Sequence, residues 1–242
     1  MKRNKIILAA LLFATAVSLT PVASAQKQTD LAASFFGSFN QSSSSGVDLQ
    51  SASNSAGGLL ELRYIFNSYA GMEATYSYQQ ANQMYGYSQP VSLRPIPCPG
   101  FNCSYPAPTY ANPISVSARE QSITAAWVVS RKLHNFRPFA LAGGGWAFFL
   151  PDSQSYVTET TGLPYSQLYP VTASSKTQFL IVAGAGLDWE VFHHVGLRLQ
   201  DREDFYKPPQ LLPASLYPLG GGGTPSGYTH SQQPALGIYY RF

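Results

Sequence analysis

The chain ends with Pro234-Ala235-Leu236-Gly237-Ile238-Tyr239-Tyr240-Arg241-Phe242. Successive side chains of a β-strand point to opposite faces, so every second residue belongs to the same face. One face of this segment is apolar and consists of Leu236, Ile238, Tyr240 and Phe242. The other face is mixed and consists of Ala235, Gly237, Tyr239 and Arg241. The segment therefore predicts a strand whose two faces meet different surroundings.

The first 25 residues have the pattern of a secretion signal. Lys2, Arg3 and Lys5 form a basic start, and an apolar run of 14 residues follows over positions 6–19. The run is short for a membrane span, and the small residues 23–25 (Ala-Ser-Ala) supply a cleavage pattern. We therefore predict a signal peptide over residues 1–25 and a mature domain over residues 26–242. An uncleaved N-terminal membrane anchor is the alternative interpretation.

The charge balance argues against a nucleic-acid partner. The chain has 15 Lys and Arg against 12 Asp and Glu, and the predicted signal holds three of the bases and none of the acids. The predicted mature domain thus carries 12 charges of each sign and is neutral. Charged residues make up 11% of the chain and aromatic residues 14%. This balance is typical of a protein whose outer wall faces lipid.

Eight segments of the predicted mature domain alternate apolar and polar residues. They lie near 30–39, 58–67, 71–79, 119–130, 138–149, 177–190, 195–206 and 229–242. Long and short connections alternate between them, which is typical of outer-membrane barrels with short periplasmic turns and long external loops. We predict an all-β, antiparallel, up-and-down transmembrane β-barrel of eight strands in a bacterial outer membrane, with both termini periplasmic.

The side of the wall that meets lipid decides between two architectures. In a membrane barrel the apolar set that includes Leu62, Tyr76, Ile181 and Ile238 faces outward into acyl chains. In a soluble β-sandwich or a lipocalin-like barrel the same set faces inward. The aromatic strand ends and the regular alternation of loop lengths favour the membrane barrel.

In two segments the pattern does not decide which residues face the inside of the barrel. In 138–149, a regular strand would place Phe139 and Leu141 on one face and Trp146 and Phe148 on the opposite face, although all four are apolar. Three glycines lie between the two pairs. A bulge at Gly143–Gly145 would reconcile the two sets. The pair Phe35-Phe36 raises the same question in segment 30–39.

Several segments resemble the OmpA-type eight-stranded outer-membrane β-barrel proteins. The resemblance is carried by residues 23–25, 71–78, 139–145, 182–188 and 236–242. It implies the barrel fold and contact with outer-membrane lipid and lipopolysaccharide. The chain departs from the family pattern in two ways: we expect no peptidoglycan-binding domain after the barrel, and the predicted external loops are unusually rich in Pro and Tyr. The resemblance also implies that the barrel-assembly machinery recognises the last strand, whose matching residues here are Leu236, Ile238, Tyr240 and Phe242.

Charged residues of the opposite parity are expected inside the barrel. An eight-stranded barrel is just wide enough for side chains to fill it, and a lone buried charge is very costly. We therefore predict a lumen closed by salt bridges, with a narrow ion path as the alternative. The predicted lumen residues are Glu61, Arg63, Glu73, Asp188, Glu190, Arg198, Gln200, Arg202, Tyr239 and Arg241.

The predicted external loops are rich in proline and tyrosine. Tyrosine is a large amphipathic contact residue with a low entropy cost, so these loops are candidates for binding an unknown surface ligand. Alternatively they only shield the mouth of the barrel. Loop 80–117 leaves open whether an extra hairpin extends the strands. The candidate contact residues are Tyr85, Tyr87, Tyr105, Tyr110, Tyr165 and Tyr169.

Both cysteines, Cys98 and Cys103, lie in the longest predicted loop. Two cysteines of a secreted chain usually pair in an oxidising compartment, and no histidine stands near them to suggest a metal site. We predict a disulfide, no metal and no cofactor.

A catalytic role has only one weak candidate pair. Outer-membrane hydrolases and acyltransferases need a histidine with a nucleophile or carboxylate partner near the external rim. His230 and Asp204 are the only residues placed to form such a pair. The sequence therefore favours a structural or surface-binding protein over an enzyme.

Overall fold

The computed structural model describes residues 28–45, 48–67, 69–87, 96–97, 104–105, 114–152, 172–212 and 227–242. None of these residues forms a helix that is long and apolar enough to cross a membrane. They form the strands β1 (Gln28–Asn40), β2 (Ser43–Ser45), β3 (Asp48–Ala52), β4 (Ser55–Ile65), β5 (Ala70–Tyr87), β6 (Ile96–Pro97), β7 (Ser104–Tyr105), β8 (Ile114–Ser130), β9 (Phe136–Pro151), β10 (Lys176–Glu190), β11 (Val195–Tyr206) and β12 (Thr229–Arg241).

Eight long strands close into an antiparallel barrel. Their order around the wall is β5-β4-β1-β12-β11-β10-β9-β8, and β8 pairs with β5 to close the ring. Each of the eight predicted segments lies on one of these strands, so the predicted fold class is confirmed. Short turns at 66–69, 131–135 and 191–194 mark one end of the barrel, here called the turn end. The opposite end is called the loop end.

The strands are staggered by ten residues around the ring. The pairing that starts at Asn40 of β1 passes through the other seven strands and returns to β1 at Asp30. Strands of a closed barrel must tilt to accommodate such a stagger, and eight of them leave room for side chains but for no wide channel. The lumen is therefore a packed interior.

The outer wall is apolar, as the alternation predicted. Ile181 is 45% exposed and Ile238 is 59% exposed, and Leu62 and Tyr76 share their outward direction. Such a wall, with charged residues enclosed behind it, inverts the arrangement of a water-soluble body. The alternative of a soluble sandwich with these aliphatic residues at its centre is wrong.

Aromatic side chains are concentrated toward both ends of the outer wall. Near the turn end the ring centroids of Tyr240 and Phe242 lie 4.9 Å apart. Near the loop end Trp146 and Phe179 contact edge to face, with centroids 6.4 Å apart. Two aromatic girdles that flank an apolar band are the pattern of barrels at lipid–water interfaces. Further pairs at the turn end are Tyr64–Phe66, Phe66–Trp127 and Phe136–Trp189.

The suggested bulge at Gly143–Gly145 is wrong. These glycines pair with residues 124–126 of β8 in an uninterrupted register. The strand keeps one parity throughout, with Phe139 and Phe149 inside and Trp146 outside. The inward face of β9 is apolar because these phenylalanines pack in the lumen. The sequence pattern did not predict phenylalanines inside the barrel.

β1 also alternates regularly, without a bulge at Phe35-Phe36. Phe36 is 1% exposed and faces the lumen, whereas Phe35 is 68% exposed and faces outward. Phe36 packs with Leu59 of β4 and Ala235 of β12. The inward parity of β1 therefore also includes Asp30, which the sequence reading did not assign to the lumen.

Two inward glycines make room for aromatic rings. A Cβ at Gly196 would lie 2.4 Å from the Tyr239 ring. A Cβ at Gly186 would lie 2.5 Å from the Phe139 ring. Both distances are far below van der Waals contact, so these positions need a residue without a side chain. The glycines thereby allow large rings to fill a narrow barrel.

The sheet continues beyond the predicted strands at the loop end. β5 and β8 stay paired up to Tyr85 and Ile114, so the predicted loop 80–117 does extend these two strands as a hairpin. β3 adds to the free edge of β5, and β2 pairs with β3. Within this loop, β6 and β7 pair with each other over two residues.

Candidate functional site: the lumen and its two ends

Six charged residues form a layer across the lumen, here called the central ionic layer. Each of them is at most 2% exposed. They are brought together by the inward parity of five strands, and five of the six were predicted from the sequence. The sixth, Asp30, comes from β1. The layer consists of Asp30, Glu61, Arg63, Glu73, Asp188 and Arg198.

Arg63 of β4 joins two carboxylates across the layer. Its Nη2 lies 2.6 Å from Glu73 Oε2, and its Nη1 donates to Asp188 Oδ2 at 3.0 Å. The guanidinium also lies 3.9 Å from the centroid of the Phe139 ring. A ring face attracts a cation that is removed from water, so Phe139 stabilises Arg63 from the side that has no carboxylate.

Arg198 of β11 contacts all four carboxylates of the layer. It donates to both oxygens of Asp188, at 2.7 and 3.1 Å. Its nitrogens lie 3.5 Å from Glu61, 3.7 Å from Glu73 and 3.9 Å from Asp30. Bidentate arginine–carboxylate pairs are strong and directional. Arg198 therefore connects the strands of both sides of the barrel.

Neutral donors complete the coordination of Glu61. Ser34 donates to Glu61 Oε2 at 3.1 Å, and the Gln200 amide donates to Glu61 Oε1 through a short hydrogen bond. Buried charges are tolerated only when they are paired and hydrogen-bonded. The surrounding donors thus let the layer hold four carboxylates around two arginines.

A third arginine continues the network toward the turn end. Arg241 donates to Asp30 at 2.8 Å and to Glu190 at 3.0 Å, and Lys132 donates to the same Glu190 oxygen at 3.1 Å. The same carboxylate oxygen of Glu190 thus accepts hydrogen bonds from two cations. Glu190, predicted as a lumen residue, lies at the rim with its side chain 25% exposed.

A second polar group lies on the loop side of the central ionic layer. Arg202 Nη2 donates to Asp204 Oδ1 and to Thr124 Oγ1, both at 3.3 Å. Gln233 donates to the other Asp204 oxygen at 3.1 Å. Arg202 was predicted as a lumen residue, whereas Asp204 was not. Both residues have the same parity as Arg198, so extending the alternation of β11 by a few residues would have found Asp204.

Beyond this polar group, an apolar segment closes the loop end. Residues 207–212 follow β11 and turn into the mouth of the barrel, and they are called the cork here. Leu211 is fully buried and Leu212 is 5% exposed. The cork packs against inward residues of five strands, namely Tyr85, Val116, Ala118, Ala147, Phe149, Leu180 and Tyr206.

Hydrogen bonds fasten the cork to the barrel wall. The Tyr85 hydroxyl donates to the Pro209 carbonyl at 2.7 Å and accepts from the Leu211 amide at 3.2 Å. The Gln50 amide also donates to the Pro209 carbonyl, at 2.7 Å. These bonds satisfy the polar backbone groups of a segment that lacks a sheet partner. The connection that follows β11 therefore has a buried stretch close to its start.

Tyr85 is not the loop contact residue that was predicted. It belongs to β5, points into the lumen and is 7% exposed. Tyr87 and Tyr105 end β5 and β7, and their side chains lie outside the described part. Three further predicted contact residues and both cysteines also lie outside the described residues: Tyr110, Tyr165, Tyr169, Cys98 and Cys103.

The candidate pair of His230 and Asp204 is wrong. Asp204 pairs across the sheet with Ser231, and both face the lumen. His230 pairs with Phe205, its ring lies 5.8 Å from that of Phe205, and both point the other way. The barrel wall separates the imidazole from the carboxylate, so the two cannot share a proton.

The last strand places its apolar residues outward, at the seam with β1. Phe242 is 69% exposed, and its amide donates to the Thr29 carbonyl at 2.9 Å. The rest of the predicted assembly signal shares this face, with Leu236 60% and Tyr240 45% exposed. Together with Ile238, these residues form one continuous outward row.

No protein-family model matches the chain, and no curated protein sequence does. Solved structures share its fold. OprG of Pseudomonas aeruginosa, an outer membrane protein, is 11% identical with a TM-score of 0.50, over 91% of this chain and 98% of that one.

Two further similar structures give lower scores. The attachment invasion locus protein Ail of Yersinia pestis, in complex with the heparin analogue sucrose octasulfate, is 15% identical with a TM-score of 0.46, over 90% of this chain and 99% of that one. Neisserial surface protein A is 12% identical with a TM-score of 0.44, over 89% and 97%. The chain has the eight-stranded fold of the OmpA-type outer-membrane barrels, as the sequence resemblance implied.

Proposed function

We propose that this protein is a closed outer-membrane barrel that acts as a structural anchor in the envelope and displays its long loops at the cell surface. The observation that carries this proposal is the stacking of two different closures in one lumen. The central ionic layer blocks the middle of the barrel, and the cork blocks the loop end.

Both closures are costly to open. An ion that crosses the layer has to displace Arg198 or Arg63 from buried carboxylates, and breaking a buried ion pair costs about 3–5 kcal/mol. Opening the mouth exposes Leu211, Leu212 and the apolar side chains around them to water, at about 1.5–3 kcal/mol for each fully buried large side chain. The two closures involve different residues, so opening one leaves the other in place.

The outer wall supports an outer-membrane location. Its apolar band and aromatic girdles fit acyl chains and headgroup regions, including those of lipopolysaccharide. Outer-membrane barrels place short turns in the periplasm and long loops outside. The turn end, with both Gln28 and Arg241, is therefore periplasmic in this proposal.

The outward row of the last strand suits recognition during assembly. Leu236, Ile238, Tyr240 and Phe242 are accessible before lipid covers them, and the barrel-assembly machinery is their proposed partner. Replacing Phe242 by Ser should reduce the amount of folded barrel in membranes of cells, whereas Phe192→Ser in an exposed turn should not. Folded and unfolded forms are separated by their heat-dependent gel mobility.

The loops beyond β5 and β7 are the proposed contact surface for an unknown ligand. Because Tyr85 is part of the cork contact, a clean test removes only residues 88–113 and joins β5 to β8 with a short Gly-Ser linker. We expect a folded barrel that has lost adhesion to surfaces or host-like matrices. Unchanged adhesion in this variant, and in one lacking 153–171, would contradict the binding role of the loops. Only the structural anchor role would then remain.

Conductance recording tests the closed lumen. The purified full chain is inserted into planar bilayers, with a sixteen-stranded porin as the positive control. We expect no steady channel at moderate voltage. Reproducible unitary currents would favour the alternative of a narrow pore and would contradict the proposal.

A further inference from the structure

Two of the three short turns are basic and lack carboxylates. The residues of turn 131–135 and turn 191–194 are all exposed, whereas turn 66–69 carries no charge. Glu190, at the end of β10, is partly exposed and is already bound by Lys132 and Arg241. The exposed cationic or titratable side chains of the two basic turns are Arg131, Lys132, His134, His193 and His194.

Exposed apolar side chains alternate with these basic residues. Leu133 is 51% exposed and Phe192 is 71% exposed. Phe136 and Trp189 stack beside them, with ring centroids 6.0 Å apart. Basic residues that stand next to exposed aliphatic and aromatic groups are typical of surfaces at the boundary between hydrocarbon and headgroups.

The tip of turn 131–135 has a residue with a strained backbone conformation. His134 is the only described residue other than glycine with a positive φ, at 60°. Leu133 and Phe136 exchange two backbone hydrogen bonds, at 2.7 and 3.0 Å, which close a two-residue hairpin around it. Glycine or asparagine suits such a position better, and strained residues of this kind often mark functional sites.

A buried arginine with an unused donor lies next to this turn. Arg137 is 8% exposed, and its Nη2 donates to Gln28 at 2.9 Å. Its Nη1 is buried and has no hydrogen-bond partner among the described residues. Arg137 pairs across the sheet with Asp188 on the lumen side of the wall, whereas Phe136 faces outward, so this donor is not accessible to a lipid at the outer surface.

We propose that the turn end binds the phosphate groups of anionic phospholipids through a cationic turn patch made of Arg131 and Lys132, with His134 at its tip. The exposed cations Arg131 and Lys132 approach the phosphates, and Leu133 and Phe136 enter the apolar boundary. The patch faces the periplasmic leaflet, and this placement rests on the orientation proposed above. Phosphate affinity itself does not depend on that orientation.

Lipid is favoured over a soluble anionic polymer by the apolar residues of the turns. A carboxylate-bearing cell-wall polymer would need the cations but not Leu133, Phe136 and Phe192. Juxtamembrane basic residues gain about 1 kcal/mol each from an anionic lipid surface. Two cations at the patch are therefore worth about a thirtyfold preference at low salt.

The test measures lipid retention by the purified full-length barrel. Micelles of the protein are titrated with phosphatidylglycerol or phosphatidylcholine, and bound lipids are counted by native mass spectrometry. We expect a preference for phosphatidylglycerol that weakens with added salt. The variant Arg131→Gln/Lys132→Gln should lose about thirtyfold in affinity. The matched variant Lys176→Gln/Lys207→Gln, which removes two cations at the loop end, should behave as wild type.

A second variant separates folding from binding. His134→Gly relieves the positive φ, so the barrel should stay folded on heat-modifiability gels while affinity falls by a few fold. Equal retention of both lipids by the wild type would overturn the proposal, as would equal affinity of the turn-end and loop-end variants. Binding to purified peptidoglycan instead of phosphatidylglycerol, lost in Arg131→Gln/Lys132→Gln, would assign the patch to the cell wall and also overturn it. A conducting barrel that still retains phosphatidylglycerol would refute only the closed lumen.

Discussion

The middle and the loop end of the lumen are closed by opposite chemistry. In the middle, two arginines and four carboxylates from five strands form buried ion pairs, and each of these residues is at most 2% exposed. At the loop end, an apolar segment from a connection packs into the mouth and is fixed by Tyr85 and Gln50. The ionic layer is part of the wall itself, whereas the cork is an added segment. The layer should therefore control whether the barrel is stable, and the cork whether its mouth is covered.

Removing one arginine from the central ionic layer should have the largest effect. Arg198→Met removes the cation beside Glu61 and two hydrogen bonds to Asp188 in a buried site, so we expect a loss of about 3–5 kcal/mol in the free energy of unfolding. Urea unfolding in micelles, followed by tryptophan fluorescence, measures the change.

The matched control is Arg119→Met at the loop end. Arg119 pairs with Asp152 at 3.3 Å, but the two side chains are 48% and 30% exposed. An exposed pair contributes about 0–1 kcal/mol. Similar losses for the two variants would show that the layer is not a buried ionic network.

Truncating the cork should have the next largest effect. Leu211→Ala removes a fully buried side chain and leaves a cavity, which typically costs about 2–5 kcal/mol. The cork is attached to the wall but is not part of it. We therefore expect the lost free energy mainly to favour local opening of the cork, not global unfolding of the barrel. Faster proteolytic cleavage near 207–212 should therefore accompany a smaller shift in global unfolding. Leu133→Ala, at an exposed turn, is the control that should change neither quantity.

Loss of one hydroxyl should loosen the cork more gently. Tyr85→Phe removes the bonds to the Pro209 carbonyl and from the Leu211 amide but keeps the ring in place. Gln50 still satisfies that carbonyl, so we expect a loss of about 1 kcal/mol. Hydrogen exchange of the Leu211 amide should speed up about fivefold, and an unchanged exchange rate would contradict the role given to Tyr85.

The smallest effect is expected at the rim of the turn end. Lys132→Gln removes one partner of Glu190, but Arg241 remains 3.0 Å from that carboxylate. The Lys132 side chain is 50% exposed, so the pair contributes at most about 0.5 kcal/mol. A loss comparable to that of Arg198→Met would place the stabilising charges at the rim instead of the middle.

The wall of the barrel could be predicted from the sequence because alternation is a local property. Parity alone assigned Arg63, Arg198 and Asp188 to the inside and Ile238 to the outside, since each strand keeps its period over its whole length. The same rule would have given Asp30 and Asp204, had the alternation been followed to the strand ends.

The closure of the loop end could not be predicted in this way. Residues 208–212 read Pro-Pro-Gln-Leu-Leu, which has no strand period and resembles an ordinary loop. Their burial depends on distant partners such as Gln50 and Tyr85, which reach the mouth because β5 continues past its predicted end and β3 pairs with that extension. Residues 81–85 of β5 read Ala-Asn-Gln-Met-Tyr and show no clear apolar–polar alternation, so the sequence gave no sign of how far the sheet extends.

The catalytic hypothesis failed for a related reason. His230 and Asp204 are close along the sheet, but which residues face each other depends on the register between β11 and β12. That register pairs Asp204 with Ser231 and His230 with Phe205, on opposite faces of the wall. A shift of one residue would have exchanged the faces.

Bilayer recording of a barrel without its cork tests the central claim most directly. Residues 207–212 are replaced by a Gly-Ser linker, and the purified variant is inserted into planar bilayers beside the wild type. Because Arg63 and Arg198 still hold their carboxylates, we expect the variant to remain silent, with current appearing only when Arg198→Met is added. Steady unitary currents from the variant that lacks only the cork would contradict the claim that the central ionic layer closes the lumen.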